Sequence, residues 1–236
     1  MVLRRIGILG GMGPEATVLL MQRIIAAVPA GDDADHIPLL VDQNPQVPSR
    51  IRRLIEGTGD DPGPVLAKMA RRLEAAGAEA LAMPCNTAHH YAPEIRAASA
   101  LPFLDMVALS ADHAAVLASE KGARIGILAS PAIRRIGLFD AVLQARGLAC
   151  VYPEDEAALL DAIRRIKASG PDASSAATLR AASTELLARG ARVQMIACTE
   201  FSLIENATAP EADSFDTLDR LTAAIVAFSQ APLVER

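Results

Sequence analysis

Three cysteines carry the most reactive side chains of this chain: Cys85, Cys150 and Cys198. Their odd number and wide spacing fit neither a disulfide framework nor a paired metal-binding motif. Two of them close apolar runs of the same form. Ala82-Met83-Pro84-Cys85 leads into the polar Asn86-Thr87, and Met195-Ile196-Ala197-Cys198 leads into Thr199-Glu200. Cys150 lies inside its run, Leu148-Ala149-Cys150-Val151, and reads as a small core residue. A free thiol has a pKa of about 8.5, and a helix N-terminus or polar neighbours lower it. Such a group exists as thiol or thiolate near neutral pH. Two of them, facing one carbon from opposite sides, would remove a proton on one face and return it on the other. The result is inversion of a stereocentre.

The carbanion-like state of that reaction needs electrostatic stabilisation from preorganised donors. Asn86, Thr87, Thr199 and Ser130 all stand just past strand ends and offer polar groups. The turn Gly10-Gly11-Met12-Gly13, ahead of a helix begun by Pro14, offers close backbone approach and the positive end of a helix dipole. The same polar residues also serve as ordinary helix caps, and the turn as a tight strand-to-helix connection.

The elements that must position these groups alternate regularly. Runs 5–9, 38–42, 80–83, 124–129, 148–151 and 193–197 read as strands. Runs 14–27, 62–76, 89–99, 107–120, 133–146, 154–168, 174–189 and 216–229 read as helices. Alternation of this kind predicts an α/β fold with parallel sheets flanked by helices. Strands as apolar as Ala80-Leu81-Ala82-Met83 are expected to be covered on both faces.

The chain also repeats itself. Ile6-Gly7-Ile8-Leu9 opens one half and Ile125-Gly126-Ile127-Leu128 the other, with Cys85 and Cys198 following 79 and 73 residues after the opening isoleucines. Each half is the size of a small domain. We expect two similar domains, 1–104 with 212–236 and 105–211, related by a pseudo-two-fold axis. Leu101 to Met106 reads as the crossover between them. Ligands bind at the carboxyl ends of parallel strands, so both strand-end cysteines are expected in one cleft between the halves.

Composition narrows the partners. The chain is 51% hydrophobic, 22% charged and 3% aromatic, without Trp, so its core is aliphatic. The net charge of −5 comes with no basic block, which argues against nucleic-acid or membrane-surface binding. No apolar run reaches membrane-spanning length. The short apolar start, broken at Gly10-Gly11, reads as a first strand rather than an export signal, so a cytoplasmic setting is expected. No His/Cys/carboxylate cluster has metal-ligand spacing.

Four segments in order and spacing resemble the aspartate/glutamate racemase superfamily, and aspartate racemase in particular. They are Gly10-Gly11-Met12-Gly13-Pro14-Glu15-Ala16-Thr17, Asn44-Pro45-Gln46-Val47-Pro48-Ser49-Arg50, Pro84-Cys85-Asn86-Thr87-Ala88-His89 and Cys198-Thr199-Glu200. The resemblance implies racemisation of an amino acid, aspartate first, without pyridoxal phosphate or metal, by a homodimer. It implies Cys85 and Cys198 as the catalytic pair. It implies Arg50 and Lys167 as the grip on the second carboxylate, by a bidentate guanidinium and a point charge. Gly11, Met12, Gln43, Asn86, Thr87, Ser130 and Thr199 complete the implied substrate-binding set. His89 matches a family position beside the first cysteine. Four positions depart from the pattern: Ser130 and Ile133 where Thr is common, Phe139 where Tyr is common, and Ala197 where Gly is usual. Ile133 removes a hydroxyl expected on the second-half side of the cleft.

Other readings remain open on sequence. Glutamate or a broader set of amino acids is an alternative substrate. A dicarboxylate isomerase of the maleate type would use Cys85 as a nucleophile. A binding protein for acidic amino acids would leave the cysteines idle. Gly11-x-Gly13-x-x-Ala16 with Asp42 at the next strand end outlines a dinucleotide fingerprint, but leaves both strand-end cysteines unexplained.

Overall fold

The computed structural model describes residues 2–118, 120 and 122–232. Position 119 of the helix expected over 107–120, and residues 1 and 233–236 of the expected first domain, lie outside the described residues.

In the first half the order is β1 (Ile6–Gly10), α1 (Pro14–Ala27), β2 (Leu39–Gln43), α2 (Arg50–Leu54), α3 (Gly63–Ala75), β3 (Ala80–Ala82), α4 (Ala92–Ala98), β4 (Phe103–Leu104) and α5 (Met106–Leu117). The second half runs β5 (Arg124–Leu128), α6 (Pro131–Arg135), α7 (Asp140–Gln144), β6 (Ala149–Val151), α8 (Glu156–Ser169), α9 (Ala173–Ala188), β7 (Val193–Ile196), β8 (Asp213–Asp216) and α10 (Thr217–Gln230). One sheet has the strand order β2-β1-β3-β4 and the other β6-β5-β7-β8, all parallel. The two halves therefore repeat one strand order, as the two Ile-Gly-Ile-Leu segments predict.

The repeated glycine has the same task in each half. A Cβ on Gly7 would lie 2.9 Å from Ala78 Cβ and 3.1 Å from Leu73 Cβ, and one on Gly126 would lie 2.9 Å from Leu186. The absent side chain lets α3 lie close on β1 and α9 close on β5, the central strands of the two sheets. Each sheet is covered on both faces. Leu66, Met69, Leu73 and Ile95 of α3 and α4 pack one side of the first sheet, and Leu20, Ile24, Leu221 and Ile225 of α1 and α10 the other. The second sheet lies between α5–α7, through Ala111, Ile133 and Leu143, and α8–α9, through Leu159, Ile163, Leu179 and Leu186. Burial on this scale contributes roughly 25 cal/mol per Å² of apolar surface. Among the described residues no helix is long and apolar enough to cross a membrane.

Three features differ from expectation. The helix expected over 133–146 is two short ones, because Gly137 adopts φ +62° and ends the first. Two strands escape the sequence pattern: β4 is only two residues long, and β8 is the polar Asp213-Ser214-Phe215-Asp216 at a sheet edge. The return to the first half, expected at 212, comes only after β8, which pairs with β7 through Met195↔Phe215. α5 serves both halves: Met106 packs with the first sheet's core, and Val107, Ala111 and Ala114 with the second's.

Candidate active site

A cavity of about 370 Å³ opens where the carboxyl ends of the strands from both halves meet. The first half supplies the β1–α1 turn, the stretch from β2 into α2, and the segment after β3. The second half supplies the ends of β5 and β7 and one face of α8. Eight of the eleven sequence-selected residues line it: Gly11, Met12, Arg50, Cys85, Thr87, Ser130, Lys167 and Cys198. Gln43, Asn86 and Thr199 do not. Gln43 is exposed at the end of β2, with its Oε1 beside Gly10. Asn86 and Thr199 are buried behind the cavity wall.

The two thiols are equally hidden, each 7% exposed at the mouth of its own core cluster. Cys85 is positioned from below by His89. Its Nδ1 lies 2.8 Å from the Cys85 carbonyl, and its Nε2 accepts the Met106 N–H at 3.1 Å. Both contacts are met by a neutral ring protonated at Nδ1. Burial pushes the His89 pKa below its ordinary value, against the opposing pull of Asp105 and the Cys85 carbonyl. The ring thus ties the Cys85 segment to the start of α5.

A second tie joins the two cysteine segments to each other. Asn86 Nδ2 donates to Thr217 Oγ1 at 2.9 Å, and Thr217 Oγ1 donates to the Ile196 carbonyl at 3.0 Å. Thr217 is fully buried at the start of α10. Sequence reading missed it, because its partners lie 131 and 21 residues away. Asn86 Oδ1 is buried without a hydrogen-bond partner.

Glu200 is the second residue missed, although it closes the motif that contains Cys198. The Cys198 S–H donates to Glu200 Oε2 at 3.0 Å, and Lys167 Nζ donates to Glu200 Oε1. Burial and the Glu200 carboxylate push the Cys198 thiol well above its ordinary pKa, with Lys167 pulling the other way. Burial would lower the Lys167 pKa, but Glu200 and the two thiols hold the ammonium above its ordinary value.

Arg50 faces the same cavity, but part of its guanidinium is engaged. It donates to the carbonyls of Val47 at 3.3 Å, Pro48 at 3.0 Å and Met12 at 3.3 Å. These bonds pin the β2–α2 stretch to the glycine turn. In that turn Gly11 has φ +90°, and a Cβ there would lie 2.4 Å from the Asn44 carbonyl carbon. Only glycine permits this conformation and approach. A Cβ on Gly13 would meet Glu15 Oε2 at 3.4 Å, Glu200 Oε1 at 3.6 Å and Lys167 Nζ at 3.7 Å, so the turn abuts the charged cluster.

Ser130 stays on the cavity wall, and the other sequence candidates fall elsewhere. Ile133 is fully buried in the second half's core and is not on the cavity wall, so the hydroxyl it lacks opens no gap there. Ser130 Oγ accepts the Ala132 N–H at 3.4 Å as the cap of α6. Cys150 sits half-buried on edge strand β6, its thiol pushed up to about 12 by burial and Asp140. Asp42, the acid of the dinucleotide outline, accepts Arg72 Nε at 3.0 Å. Among the described residues no group of three or more His, Cys, Asp or Glu side chains is placed to hold a metal ion.

Comparison with known proteins agrees with this architecture. The aspartate racemase of Picrophilus torridus superposes with a TM-score of 0.83 at 24% identity, covering 96% of this chain and 94% of that one. Glutamate racemase RacE1 of Bacillus anthracis superposes at 0.69 with 17% identity, covering 98% and 83%. These likenesses establish the two-domain fold. The broad specificity amino-acid racemase RacX of Bacillus subtilis strain 168 is 34% identical over 106 residues, 43% of this chain and 45% of that protein. The match thus spans less than half of the curated relative. Residues 9–228 match the Asp/Glu/hydantoin racemase family, and the chain belongs to it.

Proposed function

We propose that this chain is a cofactor-independent amino-acid racemase that inverts the α-carbon with Cys85 and Cys198, and that aspartate is its substrate. One observation carries the reading: two thiols from equivalent strand ends of two repeated halves line one cavity. One thiolate removes the α-proton, and the electron pair is delocalised into the substrate carboxylate. The opposite thiol then protonates the other face, and the two thiols have exchanged forms. The glycine turn ahead of α1 and the free donors of Arg50 receive the developing negative charge. Cations on both sides of the cavity, Arg50 from the first half and Lys167 from the second, support a substrate with two carboxylates.

A broader specificity has a specific observation in its favour. Lys167 is already paired with Glu200, and part of the Arg50 guanidinium is taken up by three carbonyls, so the cavity offers less free positive charge than two unengaged cations would. The likeness to RacX points the same way. A homodimer is part of the proposal, supported by Val18 and Ile25, exposed seven residues apart along α1. A cytoplasmic setting belongs to it as well. The deciding experiment is incubation in D2O with L-aspartate, L-glutamate and neutral amino acids, following optical rotation and deuterium at the α-carbon. We expect exchange with inversion, fastest for aspartate. Exchange fastest with neutral amino acids would replace aspartate by the broader reading. No exchange with any amino acid would refute racemisation.

A further inference from the structure

The two thiols occupy equivalent positions but not equivalent surroundings. Cys198 hydrogen-bonds to the Glu200 carboxylate at 3.0 Å, and that carboxylate is clamped from its other oxygen by Lys167. Among the described residues Cys85 Sγ has no carboxylate partner of this kind. Exposure does not distinguish them, since both stand at 7%. Glu200 is itself 8% exposed, so water does little to screen it from the thiol. A thiolate at hydrogen-bond distance from a buried carboxylate meets like-charge repulsion, whereas a thiol gains a charge-assisted bond.

We propose that Glu200 is a positioning residue for the reaction: its carboxylate, oriented by Lys167, holds Cys198 as the thiol, so that in the resting enzyme Cys198 is the proton donor and Cys85 the proton acceptor. The inference rests on the two-thiol reading above. In the first turnover the Cα–H bond breaks and its proton forms the Cys85 S–H bond. The electron pair stays on the substrate. The Cys198 S–H bond then breaks, its proton forms the new Cα–H bond on the opposite face, and Cys198 is left as thiolate beside Glu200. Return of one proton from Cys85 to Cys198 through solvent restores the resting state. The enantiomer whose α-proton faces Cys85 meets a ready base in the resting enzyme, whereas its mirror image reacts with the form left by that turnover, before the proton returns. The other charged groups on the cavity wall are Glu15 at the start of α1 and Arg50 of α2. Glu15 adds to the negative side of the cluster at Gly13, and Arg50 to the positive side near the Met12 carbonyl.

Alkylation of the substrate-free protein tests this without any turnover. Iodoacetamide reacts with the thiolate, and peptide mass spectrometry reads each cysteine separately. Cys150 is an internal slow reference, its thiol pushed up to about 12 by burial. At pH 8 we expect Cys85 to react about tenfold or more faster than Cys198, because the Glu200 carboxylate disfavours the Cys198 thiolate. Glu200→Gln should accelerate Cys198 by about tenfold, with a smaller change at Cys85. Lys167→Gln should slow Cys198 further, because the carboxylate beside it is no longer neutralised. The opposite signs separate this from general loosening, which would speed Cys198 in both variants. Equal rates for the two thiols in the unaltered protein, an unchanged Cys198 rate in Glu200→Gln, or acceleration in both variants would overturn the proposal. The deuterium experiment stands apart: failure there with the alkylation pattern intact would refute racemisation and leave the Glu200–Cys198 coupling in place.

Discussion

Replacing Thr217 by Val keeps the shape of the side chain and removes its hydroxyl. The hydroxyl accepts from Asn86 Nδ2 at 2.9 Å and donates to the Ile196 carbonyl at 3.0 Å, in a site with no exposure. Each partner left buried and unsatisfied costs about 1–3 kcal/mol, so the two together amount to roughly 2–6 kcal/mol. For a chain of this length each kcal/mol moves the melting temperature by roughly 2–4 °C, which gives a fall of about 4–24 °C. Function should suffer separately from stability. Asn86 follows Cys85 and Ile196 precedes Cys198 by two residues, so the hydroxyl holds the two thiol-bearing segments in register across the cleft. A displacement of about 1 Å at reacting groups costs on the order of 100-fold in rate. The assay is α-deuterium exchange measured well below the melting point of the variant, alongside calorimetric melting. Thr217→Ser keeps the hydroxyl and should recover most of both losses. The reasoning is refuted if Thr217→Val melts and turns over like the parent, or if Thr217→Ser is as damaged as Thr217→Val.

Two further perturbations read the same architecture. The folded state holds His89 neutral below the ordinary pKa of 6.5, so below that pH the unfolded chain binds more protons and stability falls with falling pH. Urea melts between pH 7 and pH 5 should show this decline, and His89→Gln should flatten it; an unchanged slope would mean His89 does not titrate on unfolding. Arg23 on α1 reaches across to Asp216, Asp219 and Glu205 of the later chain, with the Asp216 side chain only 1% exposed. Arg23→Met leaves that carboxylate buried and unpaired, a loss of about 3–5 kcal/mol. Burial already raises Asp216 to about 6 despite the neighbouring guanidinium, so the deficit in a chemical melt should be larger at pH 8 than at pH 5. Equal deficits at both pH values would show that Arg23 acts through packing alone.

Much of the site was legible because strand-end residues advertise themselves locally. An apolar run that stops at Cys85 or Cys198 and turns polar marks the carboxyl end of a buried parallel strand, and the structure brings both ends to one cavity. Arg50 and Lys167 reach the same wall. The misses share a physical origin. β8 is polar because it is an edge strand with little surface to bury, so no apolar pattern announces it. Thr217 looks like an ordinary helix-start residue until Asn86 is seen on its other side. Ile133 looked like a vacancy in the site, but the backbone turns its side chain into the core.

The order of residues by itself determined two repeated α/β halves, their central strands and the two strand-end thiols, since these depend on periodicity and on short-range alternation. Which charges would meet was decided only in the folded state. Lys167 and Glu200 are 33 residues apart, and their pairing removes a free cation that the linear motif seemed to offer. The same contact makes Cys198 unlike Cys85, although their sequence settings match. Burial amplifies that difference, because a thiol, a carboxylate and an ammonium held together with little water interact far more strongly than the same groups would along an unfolded chain.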